Sequence, residues 1–179
     1  DPAAAAERLY DAYCQQRYTH KPSAQEVTHE VRRILHTMLQ NDDIPSILNH
    51  PWLQLNLLTT RCLGLAAAKR PAWQMLGFAL AFGSNLRARH GLARHVDRCV
   101  FQNHTQTPCV LASDDFRTHH HALTPENLAT VTLASGSIPL MMETIRDIPN
   151  SPAGAHIDGG IVDYHMDLPL LHTRAEAGI

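Results

Sequence analysis

Apolar residues recur every three to four positions through the first part of the chain, the spacing of helices that bury one face. Asp1 can cap and Pro2 can open a helix, and Leu9, Tyr10 and Tyr13 give it an apolar stripe as far as about Tyr18, where His20-Lys21-Pro22 ends it. Ser23-Ala24-Gln25-Glu26 forms a capping box, in which serine and glutamate can satisfy each other's free backbone donors. Val27, Val31, Ile34, Leu35 and Met38 follow at helical spacing to about Gln40. Asn41-Asp42-Asp43 is a polar turn, and Ile44 to His50 a further short helix.

The period then blurs. Leu53 to Ala68 and Ala72 to Phe82 are the most apolar stretches, interrupted by Arg61 and separated by Lys69-Arg70-Pro71. They read as buried or half-buried helices. The alternative is a lid or lipid-facing hairpin with Trp52, Trp73, Phe78 and Phe82 at an interface. Neither run reaches the roughly 20 apolar residues that span a bilayer. Asn85 to Arg98, with Arg87, Arg89 and Arg94, reads as a solvated basic connection. Arg98 to Phe101 and Pro108 to Ala112 have the valine-, cysteine- and leucine-rich character of strands, with Asn103 to Thr107 as the turn between them. Thr124-Pro125-Glu126 starts a helix whose inner face is Leu128, Val131 and Thr132, ending near Ser135-Gly136. Helices alternating with short strands predict an α/β fold.

Composition changes this picture little. The 179 residues suit one domain, without repeats or low-complexity tracts, and 44% hydrophobic with 18% charged residues is ordinary for a globular chain. A net charge of −2 carries no footprint for nucleic acid, and no basic run marks an anionic membrane. Cys14, Cys62, Cys99 and Cys109 show neither zinc spacing nor a disulfide framework, so reduced, mostly buried thiols and a cytoplasmic setting are expected. No secretory leader is recognisable at Asp1, and the chain reads as a portion of a longer protein.

The chemistry concentrates late in the chain. Ala155-His156-Ile157-Asp158-Gly159-Gly160 is a short apolar run that ends on a carboxylate and turns on two glycines, the place where α/β enzymes present reactive side chains. Asp-Gly is also ordinary turn chemistry. Upstream lies Ala134-Ser135-Gly136-Ser137-Ile138-Pro139. This segment, followed by Asp158-Gly159-Gly160 and then Leu168-Pro169-Leu170, resembles the C-terminal half of the patatin-like phospholipases over about Thr124 to Leu170. The resemblance implies a three-layer α/β/α hydrolase fold, present here as an incomplete C-terminal portion. A helical region of about 1–95 would precede a strand-and-helix region of about 96–179.

It further implies a Ser–Asp dyad that cleaves lipid or other carboxylic esters without metal or organic cofactor. Asp158 would be the general base, Gly159 and Gly160 would permit the turn, and Ser135, Gly136, Ser137 and Pro139 would shape the loop beside it. Peripheral membrane contact through residues 52–82 would accompany such a substrate. A serine hydroxyl needs a base to accept its proton, and a carboxylate of ordinary pKa about 3.9 does this only if backbone donors stabilise the oxyanion. The family's G-x-S-x-G nucleophile and its glycine-rich oxyanion loop are absent. Ser84 has Phe82, and Ser137 has Ser135, where the first glycine belongs. The chain alone is therefore expected to be inactive. A non-catalytic binding or interaction module is the rival reading.

After Gly160, Asp163, His165 and Asp167 alternate with Tyr164 and Met166, so an extended backbone places the three polar groups on one face. With His156, they are expected to support the dyad from behind rather than to bind metal. His119-His120-His121 cannot all face one ion from a regular element, and in a chain with 13 histidines the run is read as chance.

Overall fold

In the computed structural model, which describes residues 2–40, 42–87, 89–104 and 115–163, the first helices form where the caps and stripes put them. Helix α1 (Pro2–Cys14) stops short of Tyr18, because Gln15, Gln16 and Arg17 add nothing to the apolar stripe. Helix α2 (Ala24–Met38) begins at Ser23, whose Oγ accepts the Glu26 N–H at 3.1 Å. The return half of the box is not made. Glu26 instead accepts from the N–H and hydroxyl of Thr19, at 2.7 and 2.8 Å, and so ties down the chain that precedes the helix. Helix α3 (Asp43–Leu48) is the expected short one.

The first correction comes next. The helix expected from Leu53 is strand β1 (Asn56–Cys62), followed by a 3₁₀ turn (Gly64–Ala67). A run apolar on both sides looks alike for a buried strand and a buried helix, and the Thr59-Thr60 pair is the β-branched sign that favours the strand. The expected helical region 1–95 thus contains the middle strand of the sheet. Helix α4 (Pro71–Arg87) forms as anticipated from Ala72 onward. It lies hard on the 3₁₀ turn, and a Cβ at Gly77 would strike the backbone of Leu65 and Ala66.

Residues 85–98 are no solvated connection. Helix α4 runs to Arg87, α5 (Arg89–Leu92) follows, and Arg98 lies inside β2 (Val96–Gln102), all of whose residues are buried. The strand expected at Pro108 to Ala112, and most of the turn leading to it, lie outside the described residues. The neighbour found for β2 is β3 (Thr118–Ala122), and the pairing is parallel. The three consecutive histidines therefore belong to a strand. Helix α6 (Leu128–Ser135), β4 (Ile145–Arg146), β5 (Ala155–Asp158) and a 3₁₀ turn (Gly159–Ile161) complete the described chain.

The five strands form one mixed sheet in the order β3-β2-β1-β5-β4. β1 runs antiparallel to both neighbours, pairing Cys62 with Val96 on one side and Thr59 with Asp158 on the other. Strand alternation sorts the side chains onto two faces. Cys99, Phe101 and Ile145 pack under α6 and α2, through Leu128, Val131 and Leu35. Cys62, Ala155 and Ile157 pack under Phe78 of α4, and Val96 continues that face with Ala81, Leu92 and Phe116. Helices thus cover both faces of the sheet, and the fold is α/β.

The strand carrying Asp158 is β5. It lies inside the sheet, between β1 and β4, with Ala155, His156 and Ile157 buried. Several apolar side chains within 52–82, read from the sequence as buried or half-buried, are poorly covered. Trp52, Leu53, Trp73, Met75, Leu80 and Phe82 are all exposed. No helix among the described residues is long and apolar enough to cross a membrane. Cys14 is exposed, whereas burial pushes the thiols of Cys62 and Cys99 up to about 12 and leaves them inert.

Candidate active site around Asp158

Four contacts define the end of β5. The Asp158 N–H donates to the Ser137 carbonyl at 3.0 Å, which joins the Ala134–Pro139 segment directly to the Asp-Gly-Gly turn. The Thr60 hydroxyl, rising from β1, donates to the Asp158 carbonyl at 2.7 Å. The Gly160 N–H donates to Asp158 Oδ1 at 2.8 Å, an Asx-type cap of the short 3₁₀ turn. Gly159 is the fourth. A Cβ there would strike the carbonyl oxygen of Leu58, so only glycine lets the turn pass this close to β1.

These contacts hold the carboxylate by one oxygen and leave Oδ2 without a hydrogen-bond partner among the described residues. Beside it opens a recess of about 280 Å³, lined by Asn56, Leu58, Ser135, Gly159, Gly160 and Asp163. A carboxylate half tied and half free is suited to accept a proton from a hydroxyl brought into the recess.

The expected site residues divide into three groups. Asp158, Gly159, Gly160 and Ser135 share the recess, and Asp163 joins them. Ser137 contributes its carbonyl oxygen, while its hydroxyl is buried and donates to Leu133 at 2.7 Å, turned away from any role as a nucleophile. Gly136 is the C-cap of α6. Pro139 bridges to Met142 and stands outside the recess lining. His165 and Asp167 lie outside the described residues.

Asp163 and His156, expected to support the dyad, each have a partner of their own. Asp163 sits 3.6 Å from the Arg98 guanidinium, a buried pair that rises from β2 and anchors the chain after the glycine turn. His156 is fully buried behind Asp158 on the same face of β5, with Nδ1 3.0 Å from the Thr59 hydroxyl. Burial, and then the positive charge of Arg61, hold its pKa down at about 4, so the ring is neutral at ordinary pH. It supports the strand and does not line the recess.

The histidines of β3 follow strand alternation. His120 bonds Gln102 at 2.9 Å on one face, and His119 and His121 stack at 6.4 Å on the other. His119 Nε2 lies 3.2 Å from Asp97, which also receives Arg61 at 3.4 Å. No group of three or more His, Cys, Asp or Glu among the described residues has metal-binding geometry.

Thr60, Asn56, Leu58 and Arg98 escaped the reading of the sequence. Arg98 carried a usable signal, since an arginine flanked by Val96, Cys99, Val100 and Phe101 belongs to a buried strand and must find a carboxylate there. Thr60 carried none, because its role depends on a pairing made across 98 residues. Comparison with family models, with curated proteins and with solved structures found no match.

Proposed function

We propose that this chain is the aspartate-bearing portion of a serine carboxylic-ester hydrolase of the patatin-like type, acting on lipid acyl esters. Asp158 would be the general base of a Ser–Asp dyad, and the sheet with helices on both faces would be the corresponding part of a three-layer α/β/α domain. The nucleophile elbow and the oxyanion donors would be contributed from outside these 179 residues. The observation that carries the reading is the Asp158 N–H to Ser137 carbonyl bond. It brings together two of the three segments on which the resemblance rests, and the same turn leaves Asp158 Oδ2 at a recess without a hydrogen-bond partner among the described residues. Mechanistically, Oδ2 would take the serine proton as the hydroxyl attacks the ester carbonyl, and would return it to the leaving alcohol. Oδ1, held by Gly160, would keep the carboxylate from turning away.

One observation favours the rival reading of a non-catalytic binding module for the chain taken by itself. Among the described residues no serine hydroxyl bonds Asp158, and that of Ser137 is committed elsewhere. The experiment uses a chain that carries a G-x-S-x-G segment together with these residues, and follows hydrolysis of a p-nitrophenyl acyl ester. Asp158→Asn keeps the shape and removes the base, so kcat is expected to fall by roughly two to four orders of magnitude with KM little changed. Full activity in Asp158→Asn, or turnover above background by the 179 residues alone, would overturn the assignment.

A further inference from the structure

Helix α4 carries large apolar side chains on both its inner and its outer side. Its inner side, with Phe78 and Ala81 buried, packs on the sheet and the 3₁₀ turn. Its outer side carries Trp73, Met75, Leu76, Leu80 and Phe82, each between 43% and 56% exposed. A helix with this pattern belongs inside a protein or against lipid. Across a groove of about 460 Å³, lined by Met75 on one side and Leu140 on the other, stands a second apolar projection. Leu140 there adopts φ 71°, a left-handed conformation that leucine rarely takes, and its side chain is 70% exposed, next to exposed Ile138 and Met141. Strain that turns a large apolar side chain outward calls for something that receives it.

Charge says what that is. Between Asp43 and Asp97 the chain contains no carboxylate and six Lys or Arg residues, an asymmetry hidden in the overall net charge of −2. Lys69 and Arg70 are exposed just before α4, and Arg94 is exposed just after α5. Trp73 occupies the first turn and Trp52 is 77% exposed, the residue type that settles at the boundary between headgroups and acyl chains. We propose that the outer face of α4, with the tip formed by Ile138, Leu140 and Met141, is a seat for an anionic phospholipid bilayer, in which α4 lies parallel to the membrane plane. The apolar side chains enter the acyl boundary, and Lys69, Arg70 and Arg94 meet the headgroup phosphates. This surface would bring a lipid ester to the proposed hydrolase, and in that sense the inference rests on the reading above. Its test measures binding and not turnover, so the two can fail separately.

The experiment is sedimentation of the 179-residue chain with vesicles of phosphatidylcholine alone, or of phosphatidylcholine containing about a third phosphatidylglycerol, with far-UV circular dichroism to verify folding. Binding to the anionic vesicles, a blue shift of tryptophan emission and weakening in high salt are expected. Leu80→Glu should reduce partitioning by at least about tenfold, since it places a charge in the apolar face. Lys69→Gln together with Arg70→Gln should reduce it by about 25-fold, from about fivefold for each cation at the surface. Absence of binding, or equal binding to both vesicle types, would overturn the proposal. So would self-association that Leu80→Glu abolishes in a chain that ignores vesicles, because the face would then be covered by a second copy.

Discussion

Lowering the pH should loosen the strand that carries Asp158, and the size of the effect can be worked out from His156. Its ring is fully buried, 3.0 Å from Thr59 and edge-on to Phe101 at 6.4 Å. Burial holds its pKa down first, Arg61 second and His121 more weakly, while Asp147 and the Pro152 carbonyl pull it back up by less. The folded value is about 4 against an ordinary 6.5. A depressed pKa means that the unfolded chain binds the proton more readily than the native one. Stability is therefore intact above about pH 6.5 and declines as the pH falls toward 4, by about 3 kcal/mol in all. Between about pH 7.5 and pH 5 the share is about 2 kcal/mol.

Urea unfolding at those two pH values, followed by far-UV circular dichroism, measures the difference directly. His156→Gln serves as reference, since it keeps a polar group near Thr59 and removes the titration. The remaining histidines are common to both proteins and cancel to a first approximation. The unsubstituted chain should lose about 2 kcal/mol more than the variant on acidification. Equal losses in the two would show that protonating position 156 costs nothing, and would refute the account of a neutral imidazole held beside Arg61.

Two other outcomes follow from the geometry of the turn. Gly159→Ala drives a methyl group into the Leu58 carbonyl and should destabilise the fold by about 1–3 kcal/mol, read as a lowered urea midpoint, whereas Gly136→Ala, with open space at its Cβ, should be far milder. Thr60→Val removes the hydroxyl that holds the Asp158 carbonyl and should cost about 1–2 kcal/mol in unfolding. In an active parent it should lower kcat with little change in KM, and an unchanged kcat would mean that the clamp does not orient the base.

Local signals in the sequence transferred well where neighbours alone decide the structure. Ser23 caps α2, the Val27 to Met38 stripe is a helix, α6 ends at Ser135-Gly136, and a short strand delivers Asp158 to its glycine turn. The reading failed where distant partners decide. Asn56–Cys62 is a strand because β2 and β5 stand on either side of it, and its apolar run has no period that would separate strand from helix. Arg98 was read both as the end of a solvated connection and as the start of a strand, and its place in β2 and the pair with Asp163 put it inside. At the site, Asp158, Gly159, Gly160 and Ser135 were legible as a motif. Thr60 and Asn56 reach it only through the register of β1 against β5, which no run of adjacent residues encodes.

That register bears on how the protein comes to exist. β5 does not extend the sheet at an edge but slots between β1 and β4, both of which precede it in the chain. The bond from the Thr60 hydroxyl to the Asp158 carbonyl joins residues 98 apart in the chain, among the most distant contacts in the fold. Contacts of such separation form slowly and late. As the chain leaves the ribosome, β1 must wait with one edge open until the Ala155–Asp158 segment has been made, a period in which a holding chaperone would find an unpaired strand. The carboxylate is thus set in place by the step that completes the sheet. A partly folded intermediate would lack the turn that holds Asp158, and formation of that turn during refolding would report the last event of folding, not the first.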